Sequence, residues 1–96
     1  MITPAELKSF ENEDRLEFEN LPEKYRLHAR KDLCGLLIMD MLVPGTRDIL
    51  GGADHDVVYM DADRDEVLAV CTLDDLRALR ACGITMGSYD DFQMYV

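Results

Sequence analysis

The run of eleven residues from Leu33 to Val43, Leu-Cys-Gly-Leu-Leu-Ile-Met-Asp-Met-Leu-Val, constrains the fold more than any other stretch. Nine of its side chains are apolar, and only Gly35 and Asp40 interrupt it, so a helix built from it has no face suited to water. It is shorter than the roughly 20 residues that a helix needs to cross a bilayer, and Pro44 ends it. We therefore expect a core helix that is buried on nearly all sides.

Composition predicts a single compact domain over residues 1–96, because 96 residues of which 48% are hydrophobic can fill one core. Twenty acidic against ten basic residues leave a net charge of −10, which argues against direct binding to nucleic acid or to a membrane and predicts a basic partner. The chain has no signal-peptide pattern, so we expect a cytoplasmic protein. Its three cysteines, Cys34, Cys71 and Cys82, have no C-x-x-C spacing and are predicted to be buried, reduced thiols.

Capping signals divide the N-terminal half into two predicted helices. Thr3, Pro4 and Glu6 form the start of a capping box. The first helix is expected to continue to about residue 19, although residues 15–19 also alternate like a strand. Asn20 is predicted to cap a long second helix from about Leu21 to Val43, which contains the apolar run.

The C-terminal half contains strand-like runs. Residues 45–54 read as a loop, and residues 57–60 and 66–71 read as a hairpin joined by residues 61–65. Thr72 is predicted to cap a short helix that Gly83 ends. Residues 92–96 alternate like a last strand, and residues 85–86 are a candidate for a further short one.

These elements predict an α+β fold, in which two N-terminal helices, the second long and central, pack on a small, mainly antiparallel sheet of three to four strands with one further short helix. The predicted core consists of Leu36, Leu37, Ile38, Met41, Leu68, Val70, Leu76 and Leu79.

Two acidic motifs lie in the second half of the chain. Asp61, Asp63 and Asp65 open a calcium-loop pattern, but the required glycine and final glutamate are missing. The run from Val57 to Asp63 resembles the nucleophile motif of haloacid-dehalogenase-type phosphotransferases. Arg64-Asp65 departs from that pattern, and 96 residues are too few for that fold, so a charged hairpin tip is the favoured interpretation.

No pattern in the sequence indicates a catalytic or cofactor site. Asp54-His55-Asp56 could hold a hard divalent cation adventitiously, but we predict no dedicated metal site. His28 lies among Lys24, Arg26, Arg30 and Lys31 on a polar stretch, so a solvated face is expected there and not a catalytic role. No serine has a nucleophile-elbow context, and no glycine-rich loop follows a strand. The expectation is a protein that is not an enzyme and needs no cofactor.

The acidic excess is unevenly distributed. Residues 1–23 have a net charge of −5 and residues 24–31 of +4, so these two segments can neutralise each other if they pack together. Residues 32–96 have a net charge of −9, with no internal counterpart. Within that segment, six acids lie close together in the chain and are predicted to form the partner-binding surface. They are Asp54, Asp56, Asp61, Asp63, Asp65 and Glu66.

The leading hypothesis is a non-enzymatic, acidic protein that binds and inhibits a basic, nucleic-acid-binding partner. Carboxylates two residues apart on an extended strand are about 6.8 Å apart, comparable with neighbouring phosphates of a nucleic acid. In size, charge and compactness the chain resembles small phage-encoded inhibitors of host defence, such as anti-CRISPR proteins, and other nucleic-acid mimics. A homodimer is compatible with the sequence.

Two alternatives stay open. The first is an antitoxin or immunity protein whose acids neutralise a basic toxin. The second is a small metal-dependent enzyme that uses the cluster from Asp54 to Asp65. If the acids are not the binding surface, a face with Tyr25, Tyr89 and Tyr95 is the next candidate.

Overall fold

A computed structural model describes residues 2–87 and 91–95 of the chain. These residues form four α-helices and a four-stranded antiparallel sheet, which confirms the α+β class. In chain order the elements are α1 (Pro4–Glu11), α2 (Lys31–Leu42), β1 (Leu50–Asp54), β2 (Val57–Met60), α3 (Arg64–Val70), α4 (Leu73–Ala81), β3 (Ile84–Met86) and β4 (Phe92–Tyr95), with 3-10 turns at Phe18–Asn20 and Glu23–Tyr25. No helix among the described residues has the length and apolar character needed to cross a membrane.

The sheet has the strand order β1-β2-β4-β3, and every neighbouring pair is antiparallel. One face is buried: Met60 lies opposite Phe92, Ile84 lies opposite Met94, and all four side chains belong to the core. Helix α4 packs against both β3 and α2. The helices therefore cover one face of the sheet, while Tyr95 on the other face is 61% exposed.

The first helix begins as predicted and ends early. Thr3 and Glu6 form the expected capping box, but α1 ends at Glu11, and the predicted continuation to residue 19 is wrong. The next residues, Asn12-Glu13-Asp14, contain no apolar side chain that packing could bury. Their negative charges would also oppose the helix dipole at a C-terminus, so the helix does not extend through them.

The predicted long helix from Leu21 to Val43 is also wrong in its first half, because α2 begins only at Lys31. Asn20 is the last residue of a 3-10 turn and caps no α-helix. Leu21 and Tyr25 are instead buried as separate anchors, 2% and 3% exposed. Arg26 Nε donates a hydrogen bond of 2.7 Å to the Leu21 carbonyl. The Leu21 carbonyl, which would accept a backbone hydrogen bond in a helix, therefore has a partner here.

Helix α2 is buried on one side only, so the expectation of burial on nearly all sides is wrong. Cys34, Ile38 and Met39 are fully buried. In contrast Leu33, Leu37 and Met41 are 41%, 42% and 56% exposed, because no other element among the described residues covers the outer side of the helix.

Gly35 allows a close approach on the inner side of α2. A Cβ atom at this position would lie 2.7 Å from Ile84 Cδ1 and 2.9 Å from Cys82 Cβ. Both distances are shorter than van der Waals contact. The glycine therefore lets α2 sit directly against the end of α4 and the start of β3.

The hairpin forms with a different partner strand from the one predicted. Strand β2 pairs with β1, which lies in the segment expected to be a loop, through a two-residue turn at His55-Asp56. The predicted strand at residues 66–71 is helix α3. Asp63 caps this helix by accepting a hydrogen bond from the Asp65 backbone, and the acids of the first turn favour the helix dipole. Helix capping thus overrides the strand propensity of the valines.

The last part of the fold agrees with the sequence predictions. Thr72 and Asp75 form a capping box at the start of α4, and Gly83 ends the helix with a left-handed φ of 89°. Strands β3 and β4 form as expected, with Phe92 and Met94 on the buried face. The prediction for Val96 lies outside the described residues.

The predicted core is right in part. Ile38, Leu76 and Leu79 are buried, and Leu36 and Leu68 are partly buried against them. Leu37, Met41 and Val70 were predicted to be buried and are exposed, Val70 by 59% because it ends helix α3 instead of lying in a central strand. Three core members, Cys34, Cys71 and Cys82, are buried as predicted, and none of them forms a disulfide.

Candidate functional site

The six acids predicted to form one surface lie in two groups at opposite ends of β2. Asp54 ends β1 and Asp56 lies in the hairpin turn, whereas the group that begins at Asp61 follows the other end of β2. Asp56 and Asp61 are five residues apart, which is about 17 Å along an extended strand. Charges so far apart in solvent are screened from each other, since the Debye length is about 8 Å at physiological ionic strength. The six acids that lie close together in the chain are therefore not concentrated in one place in the fold.

The group at the turn consists of exposed side chains with local contacts. Asp54 Oδ1 accepts a hydrogen bond of 2.9 Å from the His55 backbone. The His55 ring nitrogen Nε2 lies 3.9 Å from the same oxygen. The side chains of Asp54 and His55 are 68% and 96% exposed, so they provide no enclosed environment.

The group at the other end does not form a row like the phosphates of a nucleic acid. Asp61 lies at the end of β2, where its backbone N–H donates to the Ile49 carbonyl over 2.7 Å. Asp63 is the N-cap of α3, and Asp65 and Glu66 lie in its first turn. The three aspartates are therefore not on an extended strand, and the predicted 6.8 Å spacing does not apply to them.

An acidic cleft brings together carboxylates from four segments of the chain. Asp40 comes from α2, Asp48 from the loop before β1, Asp61 from the end of β2 and Glu66 from α3. They line a cavity of about 170 Å³. We use the name acidic cleft for this cavity and these four residues together with Arg47.

Arg47 is the only basic residue in the lining of the acidic cleft. Its guanidinium Nη2 lies 3.2 Å from Asp61 Oδ2, and its side chain is 82% exposed. A guanidinium can therefore bind one carboxylate of the cleft while most of its side chain stays in solvent. Because ion pairs of exposed side chains contribute only about 0–1 kcal/mol, an incoming cation could displace Arg47 at little cost.

The cleft does not have the form of a metal centre. Among residues 2–87 and 91–95, no group of three or more histidine, cysteine, aspartate or glutamate side chains is arranged to hold a metal ion. The chemistry available in the cleft is the binding of cationic side chains by carboxylates and hydrogen-bond acceptors.

Glu13 of the N-terminal segment pairs with α4, and no ion pair among the described residues joins that segment to residues 24–31, whose charges could have neutralised it. Glu13 accepts a hydrogen bond of 2.7 Å from Arg77 Nε, and Arg77 also contacts Asp74 at 2.8 Å. Arg80 Nη2 lies 3.7 Å from Glu13. The hydrogen bond from Arg77 lowers the pKa of Glu13, and the same carboxylate raises the pKa of Arg77.

The basic segment of residues 24–31 has no such partner within the described part of the chain. Arg26 donates to the backbone carbonyls of Leu21 and Glu19, and Lys24 lies 4.9 Å from the Tyr25 ring centroid. No ion pair among the described residues includes Lys24, Arg26, Arg30 or Lys31. The molecule therefore has a positive region at the start of α2 and a negative region at its end.

Two of the three tyrosines of the alternative surface, Tyr25 and Tyr95, do not share an exposed face. Tyr25 is buried, and its hydroxyl donates to Asp75, whereas Tyr95 is exposed on the open face of the sheet. Tyr89 lies outside the described residues. His28 is exposed, and its Nδ1 accepts a hydrogen bond of 2.9 Å from the Arg30 backbone.

Sequence reasoning missed Asp40 and Asp48. Neither belongs to an acidic motif, and they join the cleft only because the end of α2 and the following loop fold next to α3. The one signal available was Asp40 itself: a lone carboxylate in an apolar run must reach solvent, since burying an unpaired charge is very unfavourable.

Comparison of the chain with protein-family models, with curated proteins and with solved structures gives no match.

Proposed function

We propose that this chain is a small, non-enzymatic interaction protein whose acidic cleft binds arginine or lysine side chains of a basic, nucleic-acid-binding protein. The observation that carries the proposal is the convergence of Asp40, Asp48, Asp61 and Glu66 on one cavity in which Arg47 is the only cation. The like charges repel one another, so a cationic partner relieves an energetic cost that the free protein bears. Inhibition follows if the partner uses the same cations to bind phosphates.

The overall charge supports the same class of partner. A protein of net charge −10 accelerates its encounter with a basic surface and repels nucleic acid, so the two compete for one partner. The charge supports our proposal that the chain is an acidic inhibitor of nucleic-acid-binding proteins, a class that includes anti-CRISPR-type proteins. The six acids of the sequence hypothesis then have unequal roles: we propose Asp61 and Glu66 as contacts, and Asp63 as a helix cap.

The proposal can be tested with a fluorescent peptide of nine arginines and with variants matched in charge. The cleft variant replaces Asp48 and Asp61 by asparagine and Glu66 by glutamine. The control variant replaces Asp54 and Asp56 by asparagine and Glu23 by glutamine, which removes the same charge elsewhere. We expect the cleft variant to raise the dissociation constant of the peptide at least about tenfold and the control variant to raise it less than about threefold. A direct contact between a carboxylate and an arginine contributes more to affinity than long-range attraction, which salt screens.

Fluorescence anisotropy over a range of salt concentrations measures both effects. Equal weakening by the two variants would mean that net charge alone drives binding and that the cleft is not a site. Duplex DNA should release the peptide from the protein, since both bind the same cations. A natural partner that has no nucleic acid to displace would favour the antitoxin alternative over this proposal.

A further inference from the structure

The outer side of helix α2 has an apolar stripe that the rest of the described chain leaves exposed. Leu33, Leu37 and Met41 are spaced four residues apart, so their side chains follow one another along the same side of the helix. They are three of the seven large apolar side chains that are exposed among the described residues. Contiguous apolar stripes of this kind usually mark contact surfaces.

Charges of opposite sign lie at the two ends of the stripe. Arg30 is the N-cap residue of α2, and Asp40 lies in its last turn; both are exposed. The positions of Arg30, Leu33, Leu37 and Asp40 follow a 3-4-3 spacing, which is that of the contact seam of paired helices. Within the described part of the chain neither charge has an ion-pair partner.

The positive charge at the start of α2 is unfavourable in the isolated molecule. Arg30 and Lys31 lie at the end of the helix where the dipole favours anions, and Asp32 in the first turn offsets only part of their charge. A carboxylate supplied at this end from outside would relieve that conflict. Asp40 of another copy is such a group.

We propose that a second copy of this chain covers this stripe, with the two α2 helices antiparallel about a twofold axis. A twofold contact needs a surface that is complementary to itself. With the helices antiparallel, the apolar residues of the two copies meet, and Arg30 of each copy approaches the Asp40 end of the other. A parallel arrangement would bring like charges together, so the order of charges selects the antiparallel one.

The area required is compatible with the size of the protein. A stable interface buries about 600–1,000 Å² on each partner, and the chain exposes 6236 Å². The contact would thus use about a tenth to a sixth of the surface. This inference does not rest on the proposed function, because it is argued from the stripe and the charges at its ends. Asp40 belongs to both surfaces, so a cation bound to Asp40 in the acidic cleft would compete with Arg30 of the second copy.

Sedimentation velocity over about 1 μM to 1 mM protein, a range in which weak dimers become populated, tests the proposal. We expect a monomer–dimer equilibrium for the natural sequence. Met41→Glu should raise the dimer dissociation constant at least about tenfold, because it adds a charge to the stripe. Val70→Glu is the matched control, since Val70 is equally exposed on α3, and it should leave the constant unchanged.

A charge-reversal set tests the antiparallel arrangement itself. Arg30→Asp and Asp40→Arg alone should each raise the dissociation constant about fivefold, since two symmetric ion pairs become repulsive. The double variant should restore it, because every pair is then reversed. A natural chain that stays monomeric throughout the range would overturn the proposal, as would equal loss in the Met41 and Val70 variants or a double variant weaker than both single ones.

Discussion

The hydroxyl of Tyr25 donates a hydrogen bond of 2.6 Å to Asp75 Oδ1, across fifty positions of sequence. The other carboxylate oxygen, Oδ2, accepts a bond of 2.8 Å from the Thr72 backbone N–H. One side chain therefore closes the N-terminus of α4 and also anchors the segment that leads into α2. This bond ties the segment before α2, which contains a 3-10 turn and no α-helix, to the start of α4.

Replacing Tyr25 by phenylalanine should lower the free energy of unfolding by about 1.5–3 kcal/mol, the range for hydrogen bonds to charged groups. The ring stays buried, so the loss reports the hydroxyl alone. Urea unfolding followed by circular dichroism measures it. Tyr59→Phe is the control, because its hydroxyl has no hydrogen-bond partner among the described residues. A loss as small as that of the control would mean that the bond to Asp75 does not anchor the segment.

Gly35→Ala should destabilise the protein by about 1–3 kcal/mol, as overpacking of a core does. The new methyl group would lie under 3 Å from Ile84 and Cys82, which outweighs the gain in helix propensity of about 1 kcal/mol. Gly45→Ala is the matched control, since no atom lies within 4 Å of its added Cβ. Thermal unfolding measures the change in stability of both variants. A Gly35→Ala variant more stable than the natural protein would contradict the close packing of α2.

Two neighbouring residues of α2 should respond differently to truncation. Ile38→Ala should cost about 2–5 kcal/mol, because the side chain is fully buried. Leu37→Ala should cost less than about 1 kcal/mol, since Leu37 is 42% exposed. Guanidinium unfolding of the two variants at low protein concentration gives the comparison. Equal losses would show that the side of α2 with Leu37 is as buried as the side with Ile38.

Stability should fall as the pH rises above 9. Burial raises the pKa of the Cys71 thiol to about 11 and that of Cys82 to about 12, from an ordinary value of 9.0. Above pH 9 the unfolded chain releases these protons while the folded chain keeps them. Each thiol then removes up to about 1.4 kcal/mol of stability per pH unit, until the pH reaches its folded pKa.

Burial and the bond to Asp75 also raise the pKa of Tyr25 above its ordinary value of 10.0, which adds to the loss of stability above pH 10. Urea unfolding at pH 8, 9, 10 and 11 measures the slope. Cys82→Ala should make the fall in the free energy of unfolding with pH less steep, because one titrating thiol is removed. Any loss from the smaller side chain should be the same at every pH. A free energy of unfolding that is flat from pH 8 to 11 would contradict this burial of the thiols.

The candidate site could be predicted from sequence only as an excess of charge. Local acid density identified Asp61 and Glu66 in the chain, but it also included Asp54 and Asp56, which the length of β2 separates from them. It missed Asp40 and Asp48, whose approach depends on how the end of α2 packs beside α3. Tertiary contacts set the distances between residues across a fold, and these distances cannot be inferred from the spacing of the residues in the chain.

The sequence by itself determined the elements whose ends are encoded by local hydrogen bonds. The capping boxes of Thr3 with Glu6 and of Thr72 with Asp75 formed where predicted, because each is completed by residues three apart. Only the tertiary structure decided the partner of β2 and the exposed side of α2. Valines after Asp63 and leucines in α2 suit several environments, and the choice depends on which surfaces the remaining chain covers.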